Sequence, residues 1–316
     1  MATTEVIHTE RTSAVLTPSA LWCVAHQPTI NITQGCLHRC AYCYARGYRV
    51  YPGDGRVVVY TNTVEKLRAE LDRRRRPPDC VYFSPSSDAF QAIPEVLEQT
   101  YGAMEVLLRR QIPVSFLTKG RIPPPFFDLF TRHARWVHGQ IDMTTLDEDL
   151  QATLEPFAAP PSQRLLDLRR LVRSGIRAEA RLDPLIPGLT DRPKEVRRLL
   201  AAIAAMGVTS IAVNYLVLRP AIREHLYRDL RGRVGLHDLF GAYRNGVHLP
   251  LRGHEALVLA LPRDYRERAY DRIRQAAREF GLAPRVCGCK NADLSEESCN
   301  INGRALTAAA ESTLFV

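Results

Sequence analysis

Three closely spaced cysteines could hold a metal centre. Cys36, Cys40 and Cys43 stand as C-x3-C-x2-C within INITQGCLHRCAYCYARG, directly after an apolar, strand-like run. Spacing this short lets three thiolates converge on one inorganic centre, and thiolates are ligands for both zinc and iron–sulfur clusters. In a four-iron cluster, three protein ligands leave one iron open to a substrate or cofactor. The motif therefore predicts a catalytic iron–sulfur site.

A zinc site is the competing interpretation of this motif. It requires a fourth ligand, for which His38 and His26 are the nearest candidates. His38 lies inside the cysteine loop, where it could equally project into solvent. The position of the motif after the first strand of an alternating pattern favours the cluster.

A second group of cysteines stands near the end of the sequence. VCGCKNADLSEESCNINGR contains Cys287, Cys289 and Cys299 in the spacing C-x-C-x9-C. Clustered cysteines of this kind indicate metal ligands or reactive thiols rather than core residues. Three interpretations stay open: an auxiliary 4Fe–4S cluster, which we favour, a structural zinc site, and redox or hydrogen-donating thiols. A position without a protein ligand is one expectation for such a cluster, and the candidates for a fourth ligand are Asp293, Ser295, Ser298 and Asn300. Of the remaining cysteines, Cys80 begins the apolar run CVYFS and is expected to be a buried strand residue, whereas Cys23 has no assignment.

Strand-like and helix-like segments alternate through most of the chain. The expected strands are 28–33, 80–84, 112–118, 136–143, 176–183 and 209–218, and the expected helices are 62–75, 95–110, 124–133, 162–174 and 191–206. Such alternation predicts an α/β fold with parallel strands, and six strands favour a partial (β/α)6 barrel over a closed barrel of eight. The loops after the strands' carboxyl ends are then expected to share one site. The pattern over residues 221–281 predicts further helices and an apolar run at 255–262, and the second cysteine group follows.

The motifs together resemble the radical S-adenosylmethionine (SAM) superfamily. Its signature is C-x3-C-x2-C with an aromatic residue before the third cysteine, here Tyr42. The segments QGCLHRCAYCYARG, VEKLRAEL, FSPSSDAFQAIPE, PVSFLTKG, DMTTLDEDL and RLDPLIPGLTD resemble, in that order, the spore photolyase-like branch. The resemblance covers about residues 28–220. It predicts an N-terminal extension over 1–27, a barrel over 28–220 and a cysteine-containing extension over 221–316.

The resemblance implies a mechanism. A reduced 4Fe–4S cluster binds SAM at its open iron and passes one electron to the sulfonium. The resulting 5′-deoxyadenosyl radical removes a hydrogen atom from the substrate, while the protein positions the groups and excludes water. The electron is expected from an external reductant such as flavodoxin or ferredoxin.

The resemblance also implies residues that hold SAM. Lys119 is expected to pair with the methionyl carboxylate, and Tyr42 to lie near adenine. Ser86, Ser87 and Asp88 occupy the loop where family members contact the methionyl amino group. The remaining candidates, for the ribose, the carboxylate or the substrate, are Thr144, Thr145, Arg181 and Asp183.

The second cysteine group departs from simple spore photolyases, which use one cluster and a separate cysteine. We therefore expect a small-molecule tailoring enzyme in which Cys289 acts on the substrate radical, with sulfur insertion or electron transfer as the leading form. Radical epimerisation by a cysteine hydrogen donor is the next alternative, followed by repair of a DNA lesion and by a non-catalytic zinc module. The Arg-, Ala- and Pro-rich composition is similar to that of high-GC actinobacterial proteins, among which such enzymes often serve natural-product pathways, so we expect a biosynthetic role.

Composition limits the partners and the location. A formal net charge of +9 favours anionic partners, such as a nucleoside, a phosphorylated metabolite or, as a weaker expectation, nucleic acid. No apolar run is long enough to suggest a membrane span, and MATTEVIHTERTSAVL lacks the basic start and apolar stretch of a signal peptide. The expected location is the cytoplasm.

Overall fold

A twisted sheet of parallel strands organises the chain. The computed structural model describes residues 4–19, 24–25, 27–251, 257–298 and 300. Its strands are β1 Glu5–Thr9, β2 Thr17–Pro18, β3 Pro28–Ile30, β4 Thr33–Gln34, β5 Arg56–Tyr60, β6 Val81–Phe83, β7 Val114–Thr118, β8 Val137–Asp142, β9 Arg177–Leu185, β10 Ser210–Tyr215, β11 Val247–Pro250, β12 Leu257–Ala260 and β13 Ala283–Val286. The main sheet has the order β13-β10-β9-β8-β7-β6-β3-β2, and only β2 runs antiparallel to its neighbour. The predicted α/β fold with parallel strands is confirmed.

Helices follow most of the parallel strands, as the alternating pattern predicts. They are α1 Thr63–Arg73, α2 Pro94–Arg109, α3 Pro124–Arg132, α4 Glu148–Leu154, α5 Pro161–Arg173, α6 Pro193–Ala204, α7 Pro220–Leu230, α8 Leu236–Gly241 and α9 Arg263–Glu279. Five of them, α2, α3, α5, α6 and α7, begin with a proline, which suits the first turn because its missing N–H has no partner there. Buried leucine, isoleucine, valine and phenylalanine side chains on one face of each longer helix pack on the sheet.

Apolar and polar side chains alternate along the central strands, and this places polar groups on the face of the sheet that lines the barrel interior. In β8, Val137 and Ile141 alternate with His138, Gln140 and Asp142, and all of them are buried. Successive side chains point to opposite faces of a strand, so these three polar side chains share one face. The register of β9 sets Glu179 beside Gln140 and Arg181 beside Asp142. The barrel interior is therefore charged along these two strands.

A seventh parallel strand comes from the C-terminal segment. Residues 283–286, which lie beyond the region of resemblance, pair with β10 as β13. The strand pattern did not predict it, because APRV is short and contains a proline and an arginine. Cys287 follows β13 immediately. The second cysteine group therefore begins at the carboxyl end of a parallel strand, where the other strands also carry their polar loops.

Two further small sheets were not predicted. The N-terminal strand β1 pairs in parallel with β5, which in turn pairs with β4 beside the first cysteine loop. Strands β11 and β12 form an antiparallel pair where only helices and an apolar run were expected. No helix in the described ranges combines the length and apolar character needed to span a membrane.

Candidate active site

The first three cysteines line one cavity. Cys36, Cys40 and Cys43 lie in the loop after β4 and border a cavity of about 130 Å³. Burial raises the pKa of the Cys36 and Cys40 thiols, and the neighbouring Cys43 raises both further. The structure thus brings together the three residues that the motif predicts, at the carboxyl end of the sheet.

The arrangement of these thiols fits a multi-iron cluster. Across the described ranges, no three His, Cys, Asp or Glu side chains converge tightly enough to ligate a single metal ion. A four-iron cluster spreads its cysteine ligands more widely, because each thiolate binds a different iron. The positive charge of bound iron would also ionise thiols whose pKa burial has raised.

Two buried hydroxyls beside the cysteines have no hydrogen-bond partner in the described part of the chain. They are Ser84 Oγ and Ser87 Oγ, and both residues line the cavity. Ser84 also has a φ of 53°, in the left-handed region that is unfavourable for residues other than glycine. A buried hydroxyl without a partner costs about 1–3 kcal/mol. These groups therefore fit a polar ligand that supplies the missing partners.

Asp88 anchors the loops around the cavity. Its carboxylate accepts hydrogen bonds from Thr118 Oγ1 at 2.7 Å and from the backbone N–H groups of Phe90 and Lys119 at 2.8 Å. His38 Nδ1, considered above as a zinc ligand, lies 3.4 Å from the same carboxylate, and burial lowers the pKa of this imidazole. Asp88 lines the cavity as expected, but the protein already uses most of its acceptor capacity.

Lys119 is a charged group at the cavity wall. Its Nζ donates to Asp142 Oδ2 at 2.8 Å and lies 5.6 Å from the centre of the Tyr42 ring. Burial works to lower the pKa of Lys119, but the carboxylates of Asp142 and Glu155 raise it above its ordinary value. Burial raises the pKa of Asp142 to about 6, although Lys119 opposes this shift. An incoming carboxylate would share the ammonium group with Asp142.

Tyr42 belongs to a buried network that sequence reasoning missed. Its hydroxyl donates to Glu155, a fully buried carboxylate directly after α4. Glu155 also accepts from Arg164 of α5, which is equally buried. The available signal was an acidic residue at a helix C-terminus, where the helix dipole disfavours it and a buried cation must compensate.

Five of the residues predicted to contact the cofactor or substrate do not line the cavity: Tyr42, Thr144, Thr145, Arg181 and Asp183. Thr144 Oγ1 donates to Glu155 at 3.3 Å, and Thr145 Oγ1 accepts from the Asp147 N–H at 3.1 Å. Arg181 donates to Asp183 Oδ2 at 2.7 and 3.1 Å inside the barrel. These side chains hold the protein together around the cavity, and their expected contacts with SAM stay predictions.

The C-terminal segment over 286–297, here named the cysteine knob, is tightly built. The Gly288 N–H donates to the Glu297 carbonyl at 2.9 Å, and a Cβ at Gly288 would lie only 2.4 Å from the Ser295 carbonyl oxygen. Asn291 Nδ2 donates at 3.1 Å to the Cys287 carbonyl, and Lys290 Nζ lies 2.6 and 2.8 Å from the two carboxylate oxygens of Asp183. The knob is thus fixed to the barrel interior.

The candidates for a fourth ligand in and just after the knob already have partners. Asp293 pairs with Arg266 at 2.6 Å, and Ser295 Oγ donates to the Val286 carbonyl at 2.7 Å. Ser298 Oγ accepts from the Asn300 N–H at 3.1 Å. Asn300 Nδ2 lies 3.4 Å from Glu179 Oε1. Cys299 and Cys23 lie outside the described residues, as does His26.

The two cysteine groups share neighbouring side chains. Cys287 and Cys289 pack in a small apolar group with Tyr82 of β6 and Leu117 of β7. Tyr82 and Leu117 also line the cavity of the first cysteine group. The sequence separates the two groups by more than 240 residues, and the parallel sheet brings them to one barrel interior.

The buried carboxylate of Glu179 should make the stability of the protein depend on pH. Burial opposes its ionisation, but His138, Arg285 and Gln140 outweigh burial and lower the pKa of Glu179 from 4.5 to about 2. A carboxyl whose pKa is lower in the folded protein adds stability above pH 4.5, and this stability is lost as the pH falls toward 2. We expect Glu179→Gln to lower the free energy of unfolding at pH 7 by about 3 kcal/mol.

Urea unfolding followed by circular dichroism measures this effect. The difference in the free energy of unfolding between wild type and Glu179→Gln should become smaller as the pH falls below 4.5. Glu279→Gln, which removes an exposed partner of Arg197, is the control and should change stability by less than about 1 kcal/mol. An equal loss in both variants, or a difference independent of pH, contradicts the prediction.

Comparison with known proteins settles the family. The Radical SAM superfamily model matches residues 30–217, which contain all three cysteines of the first group. The chain belongs to the radical SAM superfamily. Membership implies a 4Fe–4S cluster and SAM as cofactors, and the thiols, orphaned hydroxyls and Lys119 described above fit them.

Relatives of this radical SAM protein extend the comparison. An uncharacterized protein of Mycobacterium bovis is 30% identical over 72% of this chain and 71% of its own length. A radical SAM Nalpha-GlyT isomerase of Pseudomonas phage M6 is 26% identical over 80% of this chain and 51% of its own length. A solved mutant of spore photoproduct lyase has a TM-score of 0.67 and 14% identity, over 89% of this chain and 81% of that one. The structural likeness shows the shared fold.

Proposed function

We propose that this radical SAM enzyme forms a substrate radical inside the barrel and that the C-terminal cysteines hold an auxiliary 4Fe–4S cluster that reacts with it. The observation that carries the proposal is the shared wall of Tyr82 and Leu117, which pack with Cys287 and Cys289 and also line the cavity of the first cysteine group. A substrate bound at this wall would lie between the site that generates the radical and the site that resolves it. This proximity explains why Cys287 directly follows a strand of the same sheet.

The first site would bind and orient the cofactor. When bound, the reduced cluster and SAM supply a 5′-deoxyadenosyl radical that can remove a hydrogen atom from the substrate. Lys119 would hold the methionyl carboxylate, and Ser86 and Ser87 would receive the amino group. The buried rings and aliphatic side chains of the wall exclude water, which protects a radical from side reactions. An external flavodoxin or ferredoxin would deliver the electron.

The second site would act on the substrate radical. Two thiols separated by one glycine, in a knob fixed by Lys290 and Asp183, form a preorganised ligand pair rather than a mobile tail. Cys299 would complete the set of three. Three ligands leave an open position, so the site could accept an electron from the substrate or transfer sulfur to it.

The substrate is proposed to be a small anionic molecule or a nucleoside. The net charge of +9 supports a substrate with negative charge. Spore photoproduct lyase, which shares the fold, has been solved with a dinucleoside spore photoproduct. Repair of a DNA lesion is the second candidate function, and it requires DNA binding that weakens steeply with salt.

Isomerisation by a hydrogen-donating thiol is a rival form of the same proposal. It is favoured by the phage relative, which is an isomerase. In this form a C-terminal thiol gives a hydrogen atom to the substrate radical and becomes a thiyl radical, which one electron from the external reductant and one proton return to the thiol, and no second cluster is needed. The product then carries deuterium from deuterated water, because a thiol proton exchanges with solvent.

The test combines iron content with turnover. Anaerobically reconstituted wild type should bind about eight irons, and the double variant Cys287→Ser, Cys289→Ser about four. Wild type supplied with SAM, a reductant and a panel of nucleosides and phosphorylated metabolites should form 5′-deoxyadenosine faster with a true substrate. Four irons in both proteins would refute the auxiliary cluster, and deuterium in the product would then assign the reaction to the thiol. Activity on lesion-containing DNA alone would assign it to repair.

A further inference from the structure

A buried carboxylate is tied to the loop that carries the first cysteines. Glu155 is fully buried. Tyr42, which stands between Cys40 and Cys43, donates a hydrogen bond from its hydroxyl group to Glu155 Oε1. The backbone adds a second link, since the Ala41 N–H donates to the Leu154 carbonyl at 2.8 Å. The segment Ala41–Tyr42 is thus held at two points by the end of α4.

The other side of Glu155 is held by a buried cation. Arg164 donates to Glu155 Oε2, to the Ala159 carbonyl at 2.7 Å and to the Asp142 carbonyl at 3.0 Å. None of these three contacts is to the cysteine loop itself, so Arg164 is linked to that loop through the Glu155 carboxylate. Glu155 therefore lies between the cluster loop and the positive charge that compensates it.

The choice of a carboxylate here requires an explanation beyond packing. Burying an ion pair costs desolvation that apolar or amide side chains of similar size avoid. An amide could also accept the Tyr42 hydrogen bond. What a carboxylate provides and an amide does not is a permanent negative charge, and the hydrogen bond from Tyr42 holds this charge beside the segment between Cys40 and Cys43.

We propose that Glu155 is a positioning residue that anchors the cluster loop through Tyr42 and that its charge lowers the reduction potential of the 4Fe–4S cluster. The net charge near a cluster and the hydrogen bonds around its ligands are among the features that set such potentials. A fixed anion beside the ligands makes the addition of an electron less favourable. The reduced cluster is then a stronger donor toward a sulfonium. The inference depends on family membership alone and not on the chemistry proposed for the knob.

The experiment measures the midpoint potential of the cluster whose electron paramagnetic resonance signal changes when SAM binds. This response distinguishes the first cluster from any cluster in the knob. We expect Glu155→Gln to shift the midpoint potential to a more positive value while the iron stays bound. Glu148→Gln on the same helix, where the carboxylate is exposed and bonded to Ser162, is the matched control and should leave the potential unchanged.

Two further variants separate the anchoring role of Glu155 from the effect of its charge and cover the case in which Glu155→Gln does not fold. Tyr42→Phe removes the anchoring hydroxyl but keeps the Glu155 charge, so it should speed iron loss to a chelator and change the potential less than Glu155→Gln does. If Glu155→Gln does not fold, the double variant Glu155→Gln, Arg164→Gln leaves no unpaired buried charge and should still show a positive shift, smaller than that of the single variant because the cation is removed as well. A potential equal to that of wild type in the folded Glu155→Gln protein, single or double, would overturn the inference.

Discussion

Replacement of Cys40 by alanine is expected to abolish reductive cleavage of SAM. Cys40 is the most deeply buried of the three motif cysteines, and it lines the same cavity as Cys36 and Cys43. With two cysteines left, the first cluster lacks a full set of protein ligands, so about four irons should be lost on reconstitution. 5′-Deoxyadenosine formation, measured by liquid chromatography after addition of dithionite, should fall below detection.

The matched control for this variant is Cys80→Ala. Cys80 is also a buried free thiol, but it stands before β6 with its Sγ 3.8 Å from Ser115 Oγ, and it does not line the cavity. Its replacement should cost on the order of 1 kcal/mol of stability and leave iron content and SAM cleavage unchanged. Retention of SAM cleavage by Cys40→Ala, or its loss in Cys80→Ala, would falsify the assignment of the radical-generating site.

Replacement of Cys289 by alanine should separate the two halves of the reaction. The first site does not depend on this side chain for its ligands, so SAM should still be cleaved to 5′-deoxyadenosine. The substrate radical would then lack its partner in the knob, and product formation should stop. Cys289 packs near Tyr82 and Leu117, so its effect should fall on the substrate rather than on the cofactor.

Parallel assays of 5′-deoxyadenosine and of product on the same samples measure this separation. The control is Glu296→Ala, which removes an exposed side chain from the same knob and should leave both assays unchanged. If Cys289→Ala turns over substrate at the wild-type rate, the second cysteine group is structural. If both products disappear together, the knob supports the first site instead of acting after it.

The sequence was informative where a local pattern controls the structure. The six predicted strands all occur. A strand buried on both faces leaves a continuous run of apolar residues in the sequence, and a strand buried on one face leaves an alternation of apolar and polar residues. The C-x3-C-x2-C motif predicted the first site for a similar reason: its three cysteines stand on one loop, and the structure brings them to one cavity. Lys119 and the serines after β6 were found through family resemblance, and they line the expected cavity.

The remaining features depend on contacts distant in sequence. Strand β13 has too few residues and too little β-propensity to be recognised, and it forms because β10 offers an unpaired edge. The partnership of Tyr42 with Glu155 joins residues 113 positions apart. Likewise, the salt bridge between Lys290 and Asp183 joins β9 to the knob. No spacing rule predicts such pairs, since only the folded barrel makes them neighbours.

The position of β13 has a consequence for biosynthesis of the enzyme. Strands β3 to β10 are complete once residue 215 has left the ribosome, but the backbone of β10 stays without its outer neighbour until residues 283–286 emerge. During that interval of about 70 residues, at roughly 5–20 residues per second, the nascent chain presents an open strand edge of the kind that aggregates. The second cysteine group, which begins directly after β13, can therefore take its place only once this edge has been closed.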